Sequence, residues 1–198
     1  MFNLTDGKKL VSVARRTVEK YFKEKRFVME KGELNQKIGV FVTIENFPDK
    51  SLRGCIGFPY PSISLWEGVQ KAAFSAAFED PRFLPLKKEE MNKIVFEVSI
   101  LTEPMLIEVK HPEEYFERIK IGEDGLIIQN GFLSGLLLPQ VPSQYNWDVK
   151  EFLDNLCFKA GLTPDFIFHK NTKIWKFQCQ VFYEKEPGGK IAELIKNK

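Results

Sequence analysis

The sequence predicts an α+β protein with a largely antiparallel sheet. Short runs of alternating apolar residues recur, as in Ile38-Val40-Val42-Ile44, Ile94-Phe96-Val98-Ile100 and Trp175-Phe177-Cys179-Val181-Tyr183. That period of two is the mark of half-buried strands. Three longer segments carry apolar residues at helical spacing instead. Strands come in runs and do not alternate strictly with helices, which favours hairpins over parallel crossovers.

The first helix is expected over 6–26. Thr5 or Asp6 caps it, and Leu10, Val13, Ala14, Val18, Tyr21 and Phe22 form its apolar stripe. Arg15, Arg16, Lys20, Lys23 and Arg26 then fall on a solvated face, partly balanced by Glu19 and Glu24. After a turn at Gly32–Asn35, residues 37–58 read as a hairpin, with Phe47-Pro48-Asp49 turning the chain into the strand Leu52–Phe58. Ser64 and Glu67 predict a capping box for a helix running to about Ala77, whose small residues suit close packing on a sheet. Asp80-Pro81-Arg82-Phe83-Leu84-Pro85 is a rigid connector. A short helix Lys87–Met91 precedes the strand that begins at Ile94.

In the second half, Met105–Val109 reads as a short strand and His111–Ile119 as a short helix. Asn130-Gly131 is a hairpin turn after Leu126-Ile127-Ile128. Leu136–Leu138 is a buried strand stopped by Pro139 and Pro142, which fix an extended loop carrying Gln140. Asp148 caps the clearest helix, Glu151 completes its capping box and Gly161 ends it. Pro187-Gly188-Gly189 ends the fold before a mixed charged tail. Hairpin, long helix and closing strand occur in 37–102 and again in about 125–184, an internal echo consistent with a structural duplication.

At 198 residues, with 43% hydrophobic and 28% charged, the chain can bury a real core. A formal net charge of +2 gives no global pull toward nucleic acid or anionic lipid. No run reaches the roughly 18 apolar residues that span a bilayer, and Met1–Lys9 holds no apolar leader core. Lysine and glutamate dominate the charge, a usage that leans toward thermophiles. Three widely spaced cysteines fit a reduced, cytoplasmic setting.

Phosphate loops, dinucleotide fingerprints, hydrolase elbows and zinc spacings are missing from the sequence. His111 and His169 lie in polar, loop-like sequence. Cys157 and Cys179 fall on apolar faces and read as core. Cys55 differs. Within Leu52-Arg53-Gly54-Cys55-Ile56-Gly57, alternation places Arg53, Cys55 and Gly57 on one face, where the guanidinium would favour a thiolate. Glycine inside a strand otherwise marks close approach of a ligand or another backbone. Two readings stand side by side: Cys55 as a nucleophile or anion site with Arg53 beside it, or a buried cysteine with glycines that admit the following helix. Asp80 would serve an Asx-type turn or pair with Arg53 or Arg82. Gln140 and Trp147 would line a ligand cleft, or Trp147 would be a hydrophobic staple.

These segments resemble the AMMECR family, named from a gene in the AMME syndrome chromosomal region. Its Leu-Arg-Gly-Cys-Ile-Gly signature stands complete at Leu52–Gly57. Its Asp-x-Arg-Phe-x-Pro pattern matches Asp80, Arg82, Phe83 and Pro85, and its Leu-Pro-x-Val segment matches Leu138, Pro139 and Val141. Its Trp-Asp helix start and Lys-x-Gly helix end match Trp147, Asp148, Lys159 and Gly161. Where some members carry histidine, this chain has Asp124, so no catalytic histidine is assigned there.

The resemblance implies a single domain over 1–198. It would be two β-β-β-α-α-β repeats in one barrel-like sheet with two lobes, about 37–103 and 104–184, with the N-terminal helix packed on the sheet. It implies no established activity, and it leaves the cofactor unknown. Related domains fused to or encoded beside Memo-like and radical-SAM proteins imply a shared pathway. Three functions follow as expectations. The first is a binding cleft around Leu52–Gly57 for an anionic small molecule, peptide or nucleotide, using Arg53, Gly54, Gly57, Asp80, Arg82, Gln140 and Trp147. The second is an enzyme with Cys55 as nucleophile. The third is a regulatory interaction domain whose signature is structural.

Overall fold

A computed structural model describes residues 2–60 and 62–194. The first half contains α1 (Leu4–Glu24), β1 (Val40–Asn46), β2 (Leu52–Phe58), α2 (Leu65–Phe78) and β3 (Ile94–Leu101). Then come β4 (Met105–Leu106), α3 (Tyr115–Arg118), β5 (Gly125–Asn130), β6 (Leu133–Leu137) and α4 (Gln140–Gln144). The chain continues through α5 (Val149–Lys159), β7 (Lys173–Phe177), β8 (Cys179–Glu184) and β9 (Ile191–Glu193). It forms two compact units, one of residues up to Leu101 plus those from Gln180, the other Thr102–Cys179.

The α+β class and the antiparallel pairing are as the sequence predicts. The strands divide between two sheets, ordered β2-β1-β3-β8-β9 and β4-β7-β5-β6, instead of running through one. The expected single closing strand is two strands. β7 belongs to the second sheet and β8 to the first, so alternation does not carry from Trp175 through to Tyr183. Val181, Phe182 and Glu184 are the buried residues of β8. A further strand, β9, follows Gly188 and Gly189, where the sequence predicts the end of the fold; the tail from residue 195 lies outside the described residues.

The two units share a pattern. In each, a hairpin's first strand is central, with its partner on one side and a later strand on the other: β2-β1-β3 and β6-β5-β7. In each, the C-terminal end of a later helix, α2 or α5, comes close to a glycine of the hairpin's second strand. A Cβ on Gly54 would lie 2.1 Å from the Ala76 carbonyl oxygen, and one on Gly135 would lie 2.7 Å from the Ala160 nitrogen. Gly54 faces Ile44 and Gly135 faces Ile128, so the two glycines hold matching places in their sheets.

In the first unit, α1 and α2 cover one face of the sheet. Leu10, Val13 and Ala14 of α1 and Ala72, Ala73 and Ala76 of α2 are buried with Val42, Phe96 and Phe182. The cap of α1 is Asn3 and not Thr5 or Asp6; Asp6 supplies the return bond of the capping box. Ser64 accepts from the Glu67 amide as predicted, but Glu67 pairs with Lys71 and does not complete a box.

Arg15 departs from the expected solvated face. It is buried and bidentate to Glu184 at 2.6 Å for both nitrogens, and it donates to the carbonyls of Met91 and Ile94. Helical spacing cannot reveal a partner 169 positions away.

In the second unit, Asp148 and Glu151 form the predicted capping box, and Gly161 has φ +74° past the end of α5. The loop expected at Pro139–Pro142 is the short helix α4, because proline is tolerated in a first turn where amides have no helical acceptor.

Candidate functional site

β2 is an edge strand, so only one side of its backbone is paired by a neighbour. Register from Phe58 to Gly54 is regular, with Thr43 opposite Cys55. It then slips: Ile44 faces Gly54 but Glu45 faces Leu52. Arg53 is therefore the extra residue of a bulge, and simple alternation fails there. This corrects the expectation that Arg53 and Cys55 share a face and act together. Arg53 turns to the 79–90 connector. It is bidentate to Glu90 at 2.7 and 3.2 Å, donates to the Leu84 carbonyl at 3.0 Å and lies 5.9 Å from the centre of the Phe83 ring.

The glycines of the signature serve packing. Gly54 admits the end of α2 at Ala76. Gly57 admits the Phe41 ring, which a Cβ would approach to 2.3 Å. Ile56 packs against the core of the first unit.

Asp80 and Arg82 close onto the outer edge of β2. The Cys55 amide donates to Asp80 Oδ2 at 2.9 Å, and Arg82 Nη2 donates to the Cys55 carbonyl at 3.0 Å. Arg82 also donates to Asp80 through Nε at 2.9 Å, Nη2 at 2.7 Å and its own amide at 3.1 Å. Burial opposes charge on Asp80, but these bonds outweigh it and lower its pKa to about 2. Asp80 in turn holds the Arg82 pKa above its ordinary value. The Asp80 side chain is 1% exposed, Arg82 is 45% exposed and Arg53 is 13% exposed, so Arg82 is the cation of this group that faces solvent.

The Cys55 thiol lies on the sheet face away from α2. Thr43 Oγ1 donates to its sulfur at 3.3 Å. Thr43 also faces Glu97 on β3, so Cys55, Thr43 and Glu97 form a row across three strands. Ser99 is buried two residues along and donates to Glu97 at 3.2 Å. Burial is the largest influence on the thiol and pushes its pKa up. The Thr43 bond and Arg82 oppose that rise, while Glu97 and Asp80 add to it. Arg53 has no part in this balance, and the thiolate expected from it is disfavoured. Glu45, beside the bulge, is raised by burial against the pull of Lys50.

Gln140 and Trp147 are in the second unit. Gln140 begins α4 and is half-buried. Trp147 packs against that unit's core and stacks on Tyr145 at 5.0 Å. Cys157 is fully buried and its thiol is pushed up to about 11, mainly by desolvation, as its core reading requires. Cys179 is only partly buried. Asp124 is buried, accepts from the Lys120 amide at 3.0 Å and faces Lys176 at 3.4 Å. Among the described residues, no group of three His, Cys, Asp or Glu side chains could hold a metal ion. No helix there is long and apolar enough to cross a membrane.

Thr43, Glu90 and Glu97 escape motif reasoning. Thr43 and Glu97 were reachable in principle, since each alternates with the apolar core positions of a strand the sequence does predict. Glu90 carried no signal, because its partner is 37 residues away across a bulge.

Comparison with known proteins agrees with the resemblance seen in the motifs. The chain is 52% identical over 195 residues to Protein MJ0810 of Methanocaldococcus jannaschii, covering 98% of this chain and 97% of that protein. It is 47% identical over 194 residues to Protein MK0488 of Methanopyrus kandleri, covering 96% and 94%. The crystal structure of Uncharacterized Protein PH0010 from Pyrococcus horikoshii superposes with a TM-score of 0.91 at 48% identity, covering 95% of this chain and 96% of that one. The AMMECR1 family model matches residues 11–182, and the chain belongs to that family.

Proposed function

We propose that the first unit binds a ligand non-covalently around Cys55, with Arg82 contacting an anionic group of that ligand. The observation that carries this reading is the contrast between the two arginines. Arg53 is closed by Glu90, whereas Arg82 is held in a fixed pose by Asp80 and keeps nearly half of its side chain exposed. A guanidinium pre-set in this way loses little freedom on meeting a carboxylate or phosphate. Phe83, 5.5 Å from Arg82, adds a flat apolar surface beside it. The nucleophile reading has less support, because burial raises the Cys55 pKa and so works against a thiolate. A second reading, an interaction domain whose signature is structural, is favoured by the internal use of Gly54, Gly57, Arg53 and Asp80.

Calorimetric titration with inorganic phosphate, adenosine monophosphate and an acidic peptide tests the proposal. Saturable binding of at least one probe is expected. It should weaken as salt rises and in Arg82→Gln, and it should survive in Cys55→Ser. Silence from all three probes, or binding that ignores Arg82→Gln, would favour the structural reading.

A further inference from the structure

An edge strand exposes a row of unpaired amides and carbonyls that invites pairing with another chain. In β2 the centre of that row is already filled. Cys55 donates to Asp80 and accepts from Arg82. A neighbouring strand would supply the same two groups, one carbonyl and one amide. We infer that the Asp80–Arg82 pair is a side-chain substitute for a neighbouring strand, and that its role is to block lateral association at the edge of β2.

The geometry fits this role at three points. The acceptor and donor belong to residues two apart, so one connector delivers both. They are joined to each other by three further bonds, so neither swings away alone. The connector is anchored at its far end through Arg53, which binds Glu90 and the Leu84 carbonyl. Both guanidinium groups lie near the Phe83 ring, that of Arg53 at 5.9 Å and that of Arg82 at 5.5 Å from its centre. The bulge at Arg53 belongs to the same device, since it turns that side chain from the sheet to the connector. At the opposite edge of this sheet, β9 has three residues, and a strand that short needs no such cover.

Hydrogen exchange on the full chain tests the inference at single-residue level. In an antiparallel ladder, amides point alternately toward and away from the partner strand. The Ile56 amide is therefore held by β1 and serves as the internal control for Cys55. Asp80→Ala should speed exchange at Cys55 on the order of tenfold or more while Ile56 stays slow, given the worth of a hydrogen bond to a charged group. Arg82→Gln removes the donor to the carbonyl and two of the three bonds that tie Arg82 to Asp80 but leaves the Asp80 acceptor, so the Cys55 amide should exchange more slowly than in Asp80→Ala. Both variants should self-associate at concentrations where the parent stays unchanged, as read by light scattering. Unchanged exchange at Cys55 in Asp80→Ala would overturn the assigned bond. Fast exchange without self-association in either variant would overturn the blocking role. If Asp80→Ala loses protection at Ile56 as well, Asp80→Asn decides by the same two readouts, because it keeps the side-chain shape and weakens the acceptor.

Discussion

Gly54→Ala separates the structural from the ligand-binding account of the signature. The added Cβ would sit 2.1 Å from the Ala76 carbonyl oxygen, with the Ala76 carbonyl carbon 3.1 Å away. An ordinary contact needs roughly 3.4 Å, so β2 and the end of α2 must part by more than an ångström in a close-packed interior. The obstruction is backbone, which cannot rotate aside as a side chain can. Overpacking costs about 1–3 kcal/mol where side chains can adjust, and this site belongs at the upper end or beyond. For a chain of this size each 1 kcal/mol lowers Tm by roughly 2–4 °C, so a fall of about 6–12 °C is expected. Differential scanning calorimetry of the parent, Gly54→Ala and Gly135→Ala measures it. Gly135→Ala meets backbone at 2.7 Å and should also destabilise, by less. If Gly54→Ala melts within about 2 °C of the parent, the close approach is not what keeps this residue glycine, and a ligand contact becomes the better account.

Glu184→Ala should cost about 3–5 kcal/mol in urea denaturation, because it strands the buried Arg15 guanidinium; a loss below 1 kcal/mol would contradict the buried pair. Alkylation of Cys55 should show an apparent pKa above that of a free thiol, about 8.5, since burial raises it; a midpoint below that value would revive the nucleophile. Asp80 has a folded-state pKa lowered to about 2, so its contribution is present above its unfolded value and is lost as pH falls from about 4 toward 2. A shift of this size corresponds to roughly 2 kcal/mol, and the acid limb of stability should be shallower by that amount in Asp80→Asn. An identical limb would refute the carboxylate's role.

The candidate site was only half legible before folding. Leu52–Gly57 and Asp80-x-Arg82 stand out as motifs, yet their chemistry inverts once neighbours are known. Alternation assigned Arg53 to Cys55, and a one-residue bulge reassigned it to Glu90. Arginine beside cysteine suggested a thiolate, whereas burial, with Glu97 adding to it, pushes the thiol pKa up instead. Asp80 looked like a turn residue or an ion-pair partner, and it is both, while also completing the edge of a strand 25 positions earlier.

By itself, the sequence determined what depends on neighbours within a turn or a pleat. The α+β class, the α5 capping box at Asp148 and Glu151, the Asn130-Gly131 hairpin and the apolar stripes of α1 and α5 all follow from spacings of two to four residues. Only the tertiary structure decided the division of the strands into two sheets, the burial of Arg15 against Glu184, the bulge at Arg53 and the closing of β2 by Asp80 and Arg82. Those features join residues from about ten to well over a hundred positions apart. Their energies come from desolvated charge and from edge groups left without partners, which no local period encodes.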